Sequence, residues 1–160
     1  MDNPGLPLFK LLSTVKTHSH IPLIAAGGIT SGYDIQNALS NGADYIQIGT
    51  AFLTVDECSI PKAYHHALLN ANGDDTVLTK AFSGRLARGV RNTLIEYGKD
   101  KYTPPYPVQN AYTQPLRKDA SSKDRSDDLS LWAGQGVGKI RECNTIELIE
   151  RLYNEYKEVS

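Results

Sequence analysis

Two short apolar runs dominate the hydrophobic pattern of the first third of the chain. The runs, Pro22–Ala26 and Asp44–Ile48, are continuous rather than alternating, and each ends at a glycine-bearing corner. Parallel strands that are covered by helices on both faces have continuous apolar runs of this kind. The segment between the runs is long enough for about three helical turns. The pattern therefore predicts one βαβ unit over Ile21–Thr54.

Small residues follow both runs, Gly27–Gly28 after the first and Gly49–Thr50 after the second. Glycine lets the backbone approach a ligand closely or take a positive φ angle. Ser31 and Asp34 have the spacing of a helix cap, and unpaired N–H groups at that helix start are expected to bind an anion. One such corner is better explained as a tight turn with an ordinary cap. Two corners on neighbouring parallel strands favour a phosphate site between them.

Apolar spacing predicts three further helices along the chain. The predicted segments are Leu8–Thr17, Pro61–Asn70 and residues 146–156, each with apolar positions three or four residues apart. By contrast, three prolines fall within Gly98–Tyr112 and disfavour a regular helix. That stretch is therefore predicted to be extended.

An arginine-rich segment follows a β-like run at Thr76–Phe82. Arg85, Arg88 and Arg91 lie within seven residues of one another. Arginine forks suit a phosphate, a carboxylate or a partner subunit. A solvated helix start explains the segment equally well, so the role of these arginines stays open at this stage.

Composition narrows the functional classes. The chain has 160 residues, a formal net charge of −1 and no long apolar run. A membrane span and a nucleic-acid surface are therefore not expected. The first ten residues lack the charged start and apolar core of a signal peptide, which favours a soluble cytoplasmic protein.

Metal binding is not indicated by the sequence. Cys58 and Cys143 are far apart, and the four histidines have no cysteine or carboxylate neighbours at ligand spacing. The cysteines are expected to be reduced thiols. The histidines are expected to lie in solvated loops or on a helix surface.

Three motifs occur in order along the chain, and a characteristic tail follows them. The motifs are PLIAAGGITSG at 22–32, NGADYIQIGTAFL at 41–53 and DTVLTKAFSGRLARGVRN at 75–92, with YPVQN at 106–110 and LWAGQ at 131–135. The sequence closely resembles the C-terminal half of nitronate monooxygenases. Enoyl reductases and other flavin barrels share the first motif, whereas the full series is specific to this family.

This resemblance implies an α/β fold, the C-terminal part of an FMN-dependent (β/α)8 TIM barrel with a C-terminal helical extension. Residues 1–98 would supply barrel strands and helices with the FMN phosphate site, and residues 99–160 would form the extension that packs on the barrel. A whole barrel takes around 250 residues. We therefore expect a truncated barrel whose open edge and exposed inner face favour self-association or pairing with a missing N-terminal half.

FMN is the cofactor that the resemblance implies. In the family, the stretch matching Gln47–Thr50 contacts the phosphate end of FMN, as does the glycine matching Gly28. The expected cofactor-binding residues are Gly27, Gly28, Gln47, Ile48, Gly49 and Thr50. For Gln47, a structural hydrogen bond inside the barrel is the alternative.

The implied reaction is FMN-dependent oxidation of alkyl nitronates by O2 to a carbonyl compound and nitrite. The family's proton-abstracting histidine lies in a G-H-x-G segment, and this sequence contains no Gly-His pair. No catalytic residue is therefore assigned to this chain. Two alternatives stay open, another FMN-barrel oxidoreductase such as an enoyl reductase and a non-catalytic remnant.

Overall fold

The computed structural model describes residues 5–160, which form two compact units. One unit contains the residues up to Cys58 together with Lys139–Ser160, and the other contains Ser59–Gly138. The chain therefore leaves the first unit and later returns to it. The division into barrel residues 1–98 and an extension over 99–160 is not a division into compact units, and it stays a prediction.

A parallel pair of strands forms the centre of the first unit. Strand β1 (Ile24–Ala26) pairs with β2 (Tyr45–Gln47), and Ala26 lies opposite Gln47. Helix α2 (Gly32–Ser40) connects the two strands. Because parallel strands need such a crossover, this arrangement confirms the predicted βαβ unit.

The two faces of this sheet differ in what covers them. Ala25 is buried in a core that includes residues of α1 (Leu8–Lys16) and α2, and Ile46 packs against the same core. Ile24 and Tyr45, on the other face, are each 62% exposed. Successive side chains of a strand point to opposite faces, so one face is covered by helices while the other bears uncovered apolar side chains.

The last helix of the chain, α6 (Thr145–Val159), closes a second core of the first unit. The side chain of Asn144 caps this helix by accepting a hydrogen bond from the Glu147 amide at 2.9 Å. The buried residues of this core are Ala51, Val55, Cys143, Leu148 and Leu152. The C-terminal amphipathic helix predicted from the apolar spacing is confirmed.

An antiparallel hairpin and three helices form the second unit. Strand β3 (Thr76–Thr79) pairs with β4 (Ala87–Val90), and the helices α3 (Lys62–Leu69) and α4 (Thr93–Gly98) flank the hairpin in sequence. The ring of Phe82 meets that of Trp132 edge to face, with 4.7 Å between their centres. The buried residues around this contact are Phe82, Leu94 and Ile95.

Helix α5 (Val108–Ser122) contradicts the predicted extended stretch Gly98–Tyr112 from Val108 onward. Pro107 precedes the helix, where its missing N–H removes no helical hydrogen bond. The side chains of Gln109 and Thr113 donate to backbone carbonyls of the loop after β3, at 2.7 and 3.0 Å. These tertiary contacts stabilise a helix that the local sequence disfavours.

No helix within residues 5–160 is long and apolar enough to cross a membrane.

Candidate functional site

The two glycine corners lie side by side because they follow paired strand ends. Ala26 and Gln47 are the last residues of β1 and β2, and they face each other in parallel register. Gly27–Gly28 and Ile48–Gly49 therefore leave the sheet at the same edge, beyond the carboxyl ends of the strands. Ligands of parallel α/β structures bind at this edge. The structure thus brings together the two corners that the sequence singled out.

The backbone of these corners is open. Gly27 and Gly28 have φ angles of 111° and 72°, which side-chain-bearing residues rarely adopt, whereas Gly49 has an unstrained φ of −117°. Within residues 5–160, a Cβ atom added at any of the three glycines would meet no heavy atom within 4 Å. A ligand therefore has room to approach the backbone at both corners.

The other predicted site residues surround the second corner. Gln47 ends β2 with an exposed side chain, on the sheet face that the helices leave uncovered. Ile48 is half-buried and packs against both cores of the first unit. Thr50 begins a 3-10 turn, Thr50–Leu53, with Gly49 at its N-cap position. Because the side chain of Ile48 belongs to the core, only its backbone is available to a ligand.

The start of α2 is closed to an external anion. The amides of Thr30 and Ser31 donate to Asp34 Oδ2 at 3.0 Å each, and the Asp34 amide donates to Ser31 Oγ at 3.2 Å. The Gly32 amide donates to Glu155 Oε2 at 2.8 Å. The predicted cap is confirmed, but the N–H groups of Thr30, Ser31, Gly32 and Asp34 are not unpaired as predicted, because they donate to the carboxylates of Asp34 and Glu155 and to the Ser31 hydroxyl.

Asp34 is an ionised carboxylate at neutral pH. Burial raises its pKa, but hydrogen bonds from Thr30 and Ser31 and the positive charge of Lys139 together outweigh burial. The pKa of Asp34 therefore lies below its ordinary value. Its negative charge adds to the reasons why the start of α2 does not attract a phosphate.

Arg141 and Glu155 form an ion pair, and each also contacts a segment that follows one of the two corners. Arg141 Nη2 lies 2.6 Å from Glu155 Oε1, and each side chain is 25% exposed. The hydroxyl of Thr54, next after the 3-10 turn, donates to the Arg141 carbonyl at 2.9 Å. Sequence reasoning missed this linkage because 123 residues separate Gly32 from Glu155 and no local pattern signals their contact.

Three of the four histidines have neighbours close in sequence. His18 Nδ1 lies 2.9 Å from the Thr14 carbonyl oxygen, and the rings of His65 and His66 are 6.2 Å apart at an angle of 62°. His20 is exposed. Over the described range, residues 5–160, no three histidine, cysteine, aspartate or glutamate side chains form a group that would hold a metal ion.

Arg85, Arg88 and Arg91, the arginines of the predicted segment, each contact residues of their own unit. Arg88, in β4, donates to the carbonyl oxygen and the hydroxyl of Thr76 at 3.0 and 3.1 Å. Arg91 pairs with Glu96 at 3.3 Å. Arg85 lies over the ring of a tyrosine, 4.8 Å from its centre. Each arginine thus has a structural role within its unit.

Comparison with known proteins identifies relatives along nearly the whole chain. A sequence model of the family described as nitronate monooxygenase matches residues 2–155. A "probable nitronate monooxygenase" from Staphylococcus saprophyticus is 35% identical over 160 residues, which cover 98% of this chain and 44% of that protein. Nitroalkane oxidase from Streptomyces ansochromogenes is 39% identical with a TM-score of 0.93, over 98% of this chain and 45% of that one. FabK from Thermotoga maritima is 28% identical with a TM-score of 0.79, over 96% of this chain and 50% of that one.

These matches fix the fold class. The chain spans less than half the length of the curated relatives it matches, and it corresponds to their C-terminal part. Its structural neighbours are TIM-barrel enzymes, so the βαβ unit described above is part of a (β/α)8 barrel, as the sequence resemblance implied. The chain belongs to the nitronate monooxygenase family.

Proposed function

We propose that this chain contributes the FMN phosphate site of an enzyme that oxidises alkyl nitronates with O2 to a carbonyl compound and nitrite. Membership of the nitronate monooxygenase family supports the reaction. One observation carries the assignment of the phosphate site, namely two open glycine corners at the carboxyl ends of paired parallel strands. Adjacent corners of this kind hold phosphates in many barrel enzymes.

The residues at the corners fit a phosphate group. A Cβ at Gly27, Gly28 or Gly49 would project into open space, which a phosphate oxygen can occupy instead. We assign the hydrogen bonds to backbone N–H groups of Gly28, Gly49 and Thr50. Gln47, with its exposed amide, is assigned a polar contact beside them. FMN supplies the redox chemistry when bound, and these residues bind and orient it.

We assign the phosphate to the corners and not to the start of α2. The N–H groups at that start already donate to Asp34 and Glu155, so a phosphate would have to displace a carboxylate. The Asp34 carboxylate would also repel a phosphate, which carries negative charge at neutral pH.

The active unit that we propose contains more polypeptide than this chain. No residue of the chain is assigned a catalytic role, and the exposed apolar side chains of Ile24 and Tyr45 mark a sheet face suited to further protein. A segment like the N-terminal part of the longer relatives, or a second copy of this chain, would supply it. Cys58 and Cys143 are both free thiols, which supports a cytoplasmic location.

FMN binding by the purified chain tests the phosphate site. Gly28→Val places a side chain at the first corner, and Gly5→Val is its matched control, because both glycines have a φ of 72° and open space around the added Cβ. In a flavin fluorescence titration, we expect Gly28→Val to abolish FMN binding and Gly5→Val to retain it. Gly49→Val, which introduces no backbone strain, is expected to abolish binding as well. Unchanged FMN affinity in both corner variants would refute the site.

Oxygen uptake on the same sample tests the reaction. With an alkyl nitronate as substrate, we expect FMN-loaded chain to consume no O2 alone and to consume it when the N-terminal part of a relative is added. Oxygen uptake by the isolated chain, whose only possible partner is a second copy of itself, would show that no separate N-terminal part is required. Flavin binding without uptake in either arrangement would contradict the proposed reaction.

A further inference from the structure

We propose that Glu155, in the C-terminal helix α6, is a positioning residue for the phosphate site. Together with Arg141 it ties the segment after the first glycine corner to the segment after the second. Its effect on FMN rests on the proposed function. The tether itself involves only residues of this chain, so it is measurable without flavin.

The first end of the tether is the start of α2. Glu155 Oε2 accepts a hydrogen bond from the Gly32 amide at 2.8 Å, four residues after Gly28. The backbones are also in close contact, because a Cβ at Gly32 would lie 2.1 Å from the Tyr156 amide nitrogen. The start of α2 therefore has a fixed position against α6.

The second end of the tether is Thr54, which follows the 3-10 turn of the second corner. This residue is 1% exposed, and its hydroxyl donates to the Arg141 carbonyl at 2.9 Å. The next residue, Val55, forms a parallel bridge with Cys143, so the backbone just after Arg141 is held as well. The Arg141 side chain then reaches Glu155 at 2.6 Å and completes the link.

A phosphate held between two corners requires them at one spacing. Strand pairing holds the corners where they leave the sheet. Without the tether, the segments that follow them would be held less firmly, and the bound phosphate would have to order them at the expense of its affinity. The link also adds little net charge near the site, because the Arg141 guanidinium balances the Glu155 carboxylate. The C-terminal helix thus acts on the phosphate site without touching the phosphate.

Substitutions at Glu155 test the tether in two measurements. Glu155→Ala removes the acceptor and the charge, Glu155→Gln keeps an acceptor for the Gly32 amide, and Glu158→Ala removes an exposed carboxylate from the same helix as the matched control. In hydrogen exchange without flavin, we expect faster exchange over residues 28–34 in Glu155→Ala only. We expect the FMN dissociation constant of Glu155→Ala to be about 10-fold higher than that of the unmodified chain, with a smaller rise in Glu155→Gln and none in Glu158→Ala.

Leu148→Ala separates positioning from a general loss of stability. Leu148, on α6, is fully buried in the second core of the first unit and takes no part in the hydrogen bonds or the ion pair of the tether, so this variant destabilises the unit without cutting the tether. We expect its folded fraction to bind FMN with unchanged affinity. An equal loss of affinity in Leu148→Ala and Glu155→Ala would overturn the proposal, as would unchanged affinity in Glu155→Ala. If the unmodified chain binds no FMN, the proposed function fails, and unchanged exchange in Glu155→Ala would then refute the tether by itself.

Discussion

Gly32→Ala is the substitution whose cost follows most directly from the structure. The added Cβ would lie 2.1 Å from the Tyr156 nitrogen and 2.5 Å from two Glu155 carbons, whereas ordinary contacts begin near 3.4 Å. Helices α2 and α6 must therefore separate. Overpacking of this kind costs ~1–3 kcal/mol. Loss of a hydrogen bond to a charged acceptor costs ~1.5–3 kcal/mol more, offset by ~0.5–1 kcal/mol from removing a helical glycine.

We therefore expect Gly32→Ala to lower the free energy of unfolding by roughly 2–4 kcal/mol, a fall in Tm of roughly 5–15 °C. Urea and thermal unfolding followed by circular dichroism measure this change. Gly49→Ala is the control, because its added Cβ meets open space at an unstrained φ, and we expect it to change stability by less than about 1 kcal/mol. If Gly32→Ala leaves stability unchanged or raises it, the close contact between α2 and α6 is wrong.

Three further predictions concern single side chains. The pKa of Asp34 is lower in the folded chain than in the unfolded one, so its contribution to stability is complete above the unfolded pKa and is lost as the pH falls through the folded pKa. In urea unfolding, the difference in stability between the unmodified chain and Asp34→Asn should therefore disappear on acidification, and a difference that grows would contradict the lowered pKa. Phe82→Ala should cost ~3–5 kcal/mol and reduce the near-ultraviolet circular dichroism of Trp132, whereas Tyr102→Ala, at an 86% exposed position, should do neither. Asn144→Ala should cost ~1 kcal/mol in thermal unfolding by removing the cap of α6, and no loss would show that the cap is dispensable.

The sequence predicts those features whose signals are local. The apolar runs of β1 and β2 and the glycines after them are continuous in sequence, so the βαβ unit and both corners could be read from it. The capping pair of Ser31 and Asp34 is equally local, at a spacing of three residues, and both of its hydrogen bonds are present.

Features that depend on distant residues could not be predicted in this way. Helix α5 forms against the proline signal because Gln109 and Thr113 bond to the loop after β3, about 30 residues earlier in the chain. Likewise, the N–H groups at the start of α2 look free in the sequence, and only the fold shows that Glu155 occupies one of them. Propensity is a weak prior when tertiary contacts decide the outcome.

The most direct test of the phosphate site compares FMN with riboflavin, which lacks the phosphate. Amide chemical shifts of a 15N-labelled chain would be recorded during titration with each flavin. The account predicts that FMN shifts the amides of Gly28, Gly49 and Thr50 and that riboflavin does not, while the Gly32 amide, already bonded to Glu155, changes little. Equal shifts with both flavins, or shifts centred on the start of α2, would contradict a phosphate held between the two glycine corners.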